Sequence, residues 1–140
     1  TERREKISNV LNQNGFTNWS FVDAIGIKDR SNYWIGCGLS HKHTLDHAVF
    51  PCLVLEDDVG ITEWFDPYQV LPNNAVTYFG LSSWGLKSGS SQFMGSKFIP
   101  FENKLNVIEY MASTHAIYYS DEEVAKSFSK GIINQLFINI

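Results

Sequence analysis

The sequence predicts a mixed α/β domain, a layered sheet flanked by helices. Helix-period apolar stripes alternate with short β-rich runs along the chain. One run, Cys52-Leu53-Val54-Leu55, is continuously apolar and too short for a helix. That pattern suggests a central strand buried on both faces. The run ends in three adjacent acids, Glu56-Asp57-Asp58, and in open α/β sheets ligands sit outside the carboxyl ends of the strands. With 140 residues the chain suffices for one cored domain, so residues 1–140 read as a single unit.

The opening stretch Thr1 to Asn14 reads as a helix, because Ile7, Val10 and Leu11 recur at i, i+3, i+4 among charges. Gly15 is a fitting stop just past its end. Trp19 to Ile25 is short and apolar and reads as a strand leading into the Gly26 turn. Asp29 to Asn32 is a polar loop. A second helix runs from near Ile35 or Gly36 to Val49, with Leu39, Leu45, Ala48 and Val49 as its buried stripe, and Pro51 ends the helical option.

Beyond the acids, Ala75 to Leu81 is rich in Val, Thr, Tyr and Phe and predicts another strand. Ser82 to Asn103 turns to Gly, Ser, Lys and aromatic residues, as in a long surface loop, and loops of that length in compact domains commonly bind something. Trp84, Phe93, Phe98 and Phe101 either pin that loop down or stack on a sugar. Val107 to Tyr119 predicts two short strands or one bent one. Ser120 with Glu123 three residues on is a capping box opening a last helix over Val124, Ala125 and Phe128.

Composition narrows the function classes. A net charge of −4 argues against a general nucleic-acid binder, which needs a clustered basic surface. No apolar run approaches the roughly 20 residues of a membrane-spanning helix, and no basic-then-apolar leader is seen. Cys37 and Cys52 form no metal pattern and at best a sparse disulfide framework. A reduced, cytoplasmic setting, free or peripheral to a membrane, is the expectation. Four Trp among 14% aromatic residues suit both a core and sugar stacking.

Three carboxylates directly after a buried strand repel one another unless a cation intervenes. Strand alternation projects Glu56 and Asp58 to one side and Asp57 to the other. Two oxygen ligands on one side, with water and phosphate completing the shell, is a common way to hold Mg²⁺ or Mn²⁺. Such a cation stabilises charge building on a departing diphosphate. The competing reading is a solvated acidic turn capping a neighbouring helix.

Taken together, Ile35-Gly36-Cys37-Gly38-Leu39-Ser40-His41 and Leu53-Val54-Leu55-Glu56-Asp57-Asp58-Val59 resemble glycosyltransferase family 25. These are relatives of the lipopolysaccharide and collagen galactosyltransferases, with a GT-A-like fold. Arg3-Arg4 and Phe21-x-Asp23-Ala24 look like the family's early Arg-Arg and its Asp-Ala strand end, and Thr114, Ala116 and Tyr118 resemble its later Thr-x-Ala-Tyr strand. The resemblance spans nearly the whole chain. It implies inverting transfer of a hexose, galactose or glucose, from a nucleotide-sugar donor of the UDP-hexose kind. The saccharide acceptor would be a glycan of the type met in lipopolysaccharide biosynthesis. On that reading Glu56 and Asp58 bind Mn²⁺ or Mg²⁺, and Asp57 touches the ribose or braces the turn. Ser40 and His41 support the donor pocket, Arg3 or Arg4 approaches the nucleotide, and Asp23 and Ala24 line its base and ribose.

The family opens with an apolar strand ahead of its Arg-Arg helix, whereas this chain starts inside that helix. It also carries an Asp near the position of Asn134. A fragment or a minimal form, lacking the first strand of the GT-A-like sheet, is therefore expected. The unpaired edge so left invites a homodimer. His41 alternatively bonds a backbone carbonyl, and His43 and His47, at i, i+4, read as solvated helix residues. Asp121 reads as an acid favoured by the helix dipole. Spacing assigns no catalytic base; Glu109 and His115 are the two residues near the last strand that would face an acceptor. Two rivals stand beside the transferase: a non-catalytic sugar- or nucleotide-binding remnant of the same fold, and a metal-dependent phosphodiester hydrolase.

Overall fold

The computed structural model describes residues 2–28, 32–63, 65, 66, 68–79, 97–101, 105–109 and 115–138. Within them lie helices α1 (Glu2–Gln13), α2 (Tyr33–His47) and α3 (Glu122–Ile138). The strands are β1 (Cys52–Leu55), β2 (Val76–Tyr78), β3 (Lys97–Pro100), β4 (Asn106–Glu109) and β5 (Ala116–Tyr119). Helices and a small sheet thus combine as the α/β pattern predicts. The sheet itself is antiparallel. It has the order β1-β5-β2, and β3 and β4 form a second, two-stranded antiparallel sheet.

β5 is the centre of the main sheet, with Ile117 and Tyr119 fully buried. β1, expected there, is half-buried throughout and lies at one end of the order. A continuous apolar run reports cover on the two faces of a strand and carries no information on how many ladders flank it. The register sets Cys52 opposite Tyr119 and Val54 opposite Ile117, with Val76 and Tyr78 completing the same face across β5. That face packs on Leu45 of α2 and on Ala125 and Phe128 of α3. The alternate residues, Leu53, Leu55 and Ala116, are turned to the other face and line a cleft there.

α1 ends as its sequence dictates. Gly15 adopts φ +81°, the left-handed conformation that costs a residue with a Cβ about 1 kcal/mol or more. Its N–H bonds Asn12 O at 3.2 Å while Phe16 N–H reaches Leu11 O at 3.1 Å, the paired bonds of a Schellman stop. Ile7 and Leu11 are the helix's buried residues. α2 buries Gly36, His41 and Leu45; Val49, expected in its stripe, lies beyond the helix end and is 86% exposed.

Trp19 to Ile25 joins no ladder among the described residues. It runs instead across α2, where Ile25 N–H donates to Ser40 Oγ at 2.8 Å and Ser40 Oγ–H donates to Gly36 O at 2.6 Å. Gly36 makes the approach possible, because a Cβ there would stand 2.9 Å from Ile27 Cγ1 and 3.1 Å from Ile25 O. Of the expected loop from Ser82 to Asn103, residues 97–100 are β3. Trp84, Phe93 and most of the remainder lie outside the described residues.

The last helix is capped one residue later than predicted. Val124 N–H donates to Asp121 Oδ1 at 2.9 Å, while Ser120 Oγ–H donates to Asp121 Oδ2 and Ser120 Oγ accepts Ala75 N–H at 3.0 Å. Ser120 is thus drawn to β2, leaving the cap to Asp121. The bond from Val124, joined by that from Ser120, holds the Asp121 carboxyl below its ordinary value of 3.8. A depressed carboxyl contributes stability above the unfolded value and loses it as pH falls through the folded one. Asp121→Ala is therefore expected to lower Tm near neutral pH and to converge on the wild type below pH 3.8, which thermal melts over an acid series will check.

Candidate metal centre

The β1–β5 ladder carries one step beyond the strands. Glu56 N–H donates to His115 O at 2.9 Å, so the carboxyl end of β1 meets the amino end of β5. Antiparallel pairing thereby sets an acid and an imidazole side by side although 59 residues separate them. His115 Nδ1 and Glu56 Oε2 are 2.6 Å apart.

After Glu56 the chain turns rather than continuing as a strand. Val59 N–H bonds Glu56 O at 3.3 Å, which places Asp57 and Asp58 at the centre of the turn. Strand alternation is therefore not what sorts the three acids. The turn brings Asp58 back toward Glu56, and one ligand atom each from Glu56, Asp58 and His115 lies within 4.8 Å of the others. Asp57 leaves the group and takes Arg3 of α1, whose Nη1 is 3.2 and 3.4 Å from its two oxygens.

The three side chains fit a first-row divalent ion. Ion-to-oxygen and ion-to-nitrogen distances near 2.0–2.2 Å put ligands on opposite sides within about 4.4 Å of each other, so a small closure of the observed group suffices. Two carboxylates suit Mg²⁺ and Mn²⁺ alike, and an imidazole shifts the preference toward the transition ion. The negative charge of Glu56 reaches α2. Burial raises the Cys37 thiol and Glu56 adds to that, whereas at His41 burial lowers the imidazole and Glu56 opposes it.

Asp58 and His115 also belong to the lining of a cleft of about 670 Å³. Its walls are largely apolar, with Leu53 and Leu55 from the sheet and Phe65 and Phe79 from the loops. Phe65 stands edge-on to Phe79 at 5.7 Å and tilted to Phe16 at 6.0 Å. Asp66 adds a further carboxylate to this cleft. No protein-family model, curated protein or solved structure matches the chain.

Of the residues singled out from the sequence, Glu56, Asp58 and His115 come together, with Asp57 and Arg3 beside them. Arg4 reaches Asp23 and lies over the Phe21 ring, with Ala24 following on the same segment. Ser40 acts as a clip between α2 and that segment. His41 is buried, with Nε2 2.6 Å from Tyr119 Oη, and serves the core rather than an open pocket. Glu109 lies in β4, in the other sheet, and its side chain is outside the description. His43 and His47 stack on each other on exposed α2 surface, and Cys37 and Cys52 are free thiols.

Sequence reasoning missed two things. His115 reads as a base candidate by position, yet it sits one residue ahead of a strand that pairs with the acidic strand, and that adjacency makes it a ligand candidate. Asp66 carried no motif, and only the cleft draws attention to it.

Proposed function

We propose that the chain is a divalent-cation-dependent transferase of a hexose from a nucleotide-sugar, a UDP-hexose, to a saccharide acceptor, with Mn²⁺ the fitting ion. The observation that carries this reading is the convergence of Glu56, Asp58 and His115, of which Asp58 and His115 line a ligand-sized cleft. A resemblance to glycosyltransferase family 25 over the Ile35–His41 and Leu53–Val59 segments supports the donor class. Glu56, Asp58 and His115 would hold the ion, which would supply positive charge to the departing diphosphate. Arg3, held at Asp57 of the same turn, offers further N–H donors to a phosphate. Leu53, Leu55, Phe65 and Phe79 exclude water beside the reacting centre.

In this reading His115 is taken up as a ligand of the ion, which leaves the role of base to another group. Asp66 shares the cleft with Asp58 and takes that role in this reading, accepting a proton from the acceptor hydroxyl. The testing experiment is a melt with Mn²⁺, UDP and both together, followed by donor turnover. Cooperative stabilisation by the pair, with release of UDP from a UDP-hexose, is expected. Binding without turnover favours the non-catalytic remnant, and hydrolysis of a simple phosphodiester without UDP binding favours the hydrolase. Asp66→Asn is expected to lower kcat about 100-fold or more while leaving UDP and Mn²⁺ binding intact; an unchanged kcat removes Asp66 from the mechanism.

A further inference from the structure

We infer that His43 and His47, in the last turns of α2, form a two-imidazole site for a late first-row transition ion of the Zn²⁺ or Cu²⁺ kind. The site is separate from the Glu56–Asp58–His115 group and independent of the transferase reading. The two residues stand at i and i+4 of one helix, which sets their side chains on one face. Helical zinc sites pair their histidines at this same spacing. The ring centres are 4.5 Å apart, and both residues are exposed. Ion-to-nitrogen distances near 2.0–2.1 Å let one ion join imidazoles that close.

The position of a proton is the second observation. His47 Nδ1 lies 2.8 Å from His43 O. A carbonyl oxygen only accepts, so Nδ1 carries the hydrogen and Nε2 of the neutral ring keeps its lone pair. Metal-bound histidines characteristically donate their other N–H to a carbonyl or a carboxylate, which fixes tautomer and ring orientation. His47 has that outer bond from its own helix.

Electrostatics agrees. His47 is the final residue of α2, where unsatisfied carbonyls form the negative end of the helix dipole and favour a cation. Lys42, beside His43 in sequence, is paired with Asp46, which offsets its charge. Among the described residues no third His, Cys, Asp or Glu joins the pair. Water or an incoming ligand would complete the shell, as in open rather than structural sites. Two imidazoles select Zn²⁺, Cu²⁺ and Ni²⁺, whereas Mn²⁺ and Mg²⁺ prefer carboxylates. An ion on this pair ties one turn of α2 to the next and braces the helix end, whose Leu45 packs in the core.

The test is calorimetric titration of the full chain with Zn²⁺, and separately with Mn²⁺. It uses a background carrying Asp58→Ala and His115→Gln, two exposed positions, to disable the acidic group. Zn²⁺ is expected to bind one equivalent there, and Mn²⁺ to show no comparable binding. His43→Gln and His47→Gln are each expected to weaken Zn²⁺ about tenfold or more, because the second imidazole acts at high effective concentration. Both substitutions are at exposed positions and should leave the melt without metal unchanged. In magnetic resonance of the same background, substoichiometric Cu²⁺ is expected to broaden His43 and His47 before the buried His41. Absence of Zn²⁺ binding in this background overturns the proposal. So does an affinity that either substitution leaves unchanged, or equal binding of Mn²⁺.

Discussion

Asp58→Ala is expected to abolish the joint stabilisation by Mn²⁺ and UDP and to lower transferase turnover by about 100-fold or more. At concentrations near 100 times Kd, a ligand specific for the native state adds about 2.7 kcal/mol, which for a domain of this size shifts Tm by roughly 10 °C. Asp58 is one of the three residues of the proposed ion site, and its loss leaves Glu56 and His115, a pair already bonded to each other. The contrasting variant is Asp57→Ala. Asp57 points to Arg3, both side chains are about half or more exposed, and such surface pairs contribute about 0–1 kcal/mol. It should leave the Mn²⁺ response within a few degrees of wild type. Equal loss in the two variants would mean that the turn binds by diffuse negative charge and not through the Glu56–Asp58–His115 group.

Tyr119→Phe is expected to destabilise the fold by about 1–3 kcal/mol, because it removes the hydroxyl partner of a buried imidazole. His41 and Tyr119 are 2.6 Å apart, with Tyr119 fully buried and His41 nearly so, and Phe128 meets His41 at a tilt and Tyr119 edge-on. Burial lowers the His41 imidazole below its ordinary value of 6.5, with the charge of Glu56 opposing in part, and burial raises the Tyr119 hydroxyl. The sign follows from proton counts. Below pH 6.5 the unfolded chain takes up a proton at His41 that the folded chain still refuses, so stability falls as pH drops from 6.5 toward the folded value. Denaturant unfolding at pH 7.5 and pH 5.5 will measure it. His41→Phe, which does not titrate, should flatten that part of the profile; a profile unchanged by the substitution would remove His41 as its source.

Much of this architecture is legible in the residues. α1 follows from Ile7, Leu11 and the Gly15 stop, α3 from its apolar stripe behind an acidic start, and β1 from four apolar residues closed by acids. What was not legible is lateral order. Nothing in Cys52–Leu55 tells that β5, sixty residues on, would pair with it antiparallel, and so nothing marked His115 as a neighbour of Glu56. Phe21 and Val22 have strand-forming composition, but a ladder requires a partner, and Gly36 and Ser40 offer this segment a helix surface instead. Ser120 satisfies the capping-box pattern, yet Ala75 N–H competes for its hydroxyl and Asp121 is one residue nearer the helix. In each case a group outside the local pattern overrode it.

The bond from Glu56 N–H to His115 O has a consequence for how the molecule acquires its chemistry. The Glu56–Asp58–His115 group has no counterpart in any continuous stretch of chain, and an unfolded or half-collapsed polypeptide cannot rehearse it. It comes into being only when β5 has found β1 across the intervening segment that carries β2, β3 and β4, a slow kind of closure. Free Mn²⁺ should then act late, holding the finished ladder shut and slowing its opening rather than hastening its formation. Affinity for the ion becomes a gauge of whether the sheet has been completed.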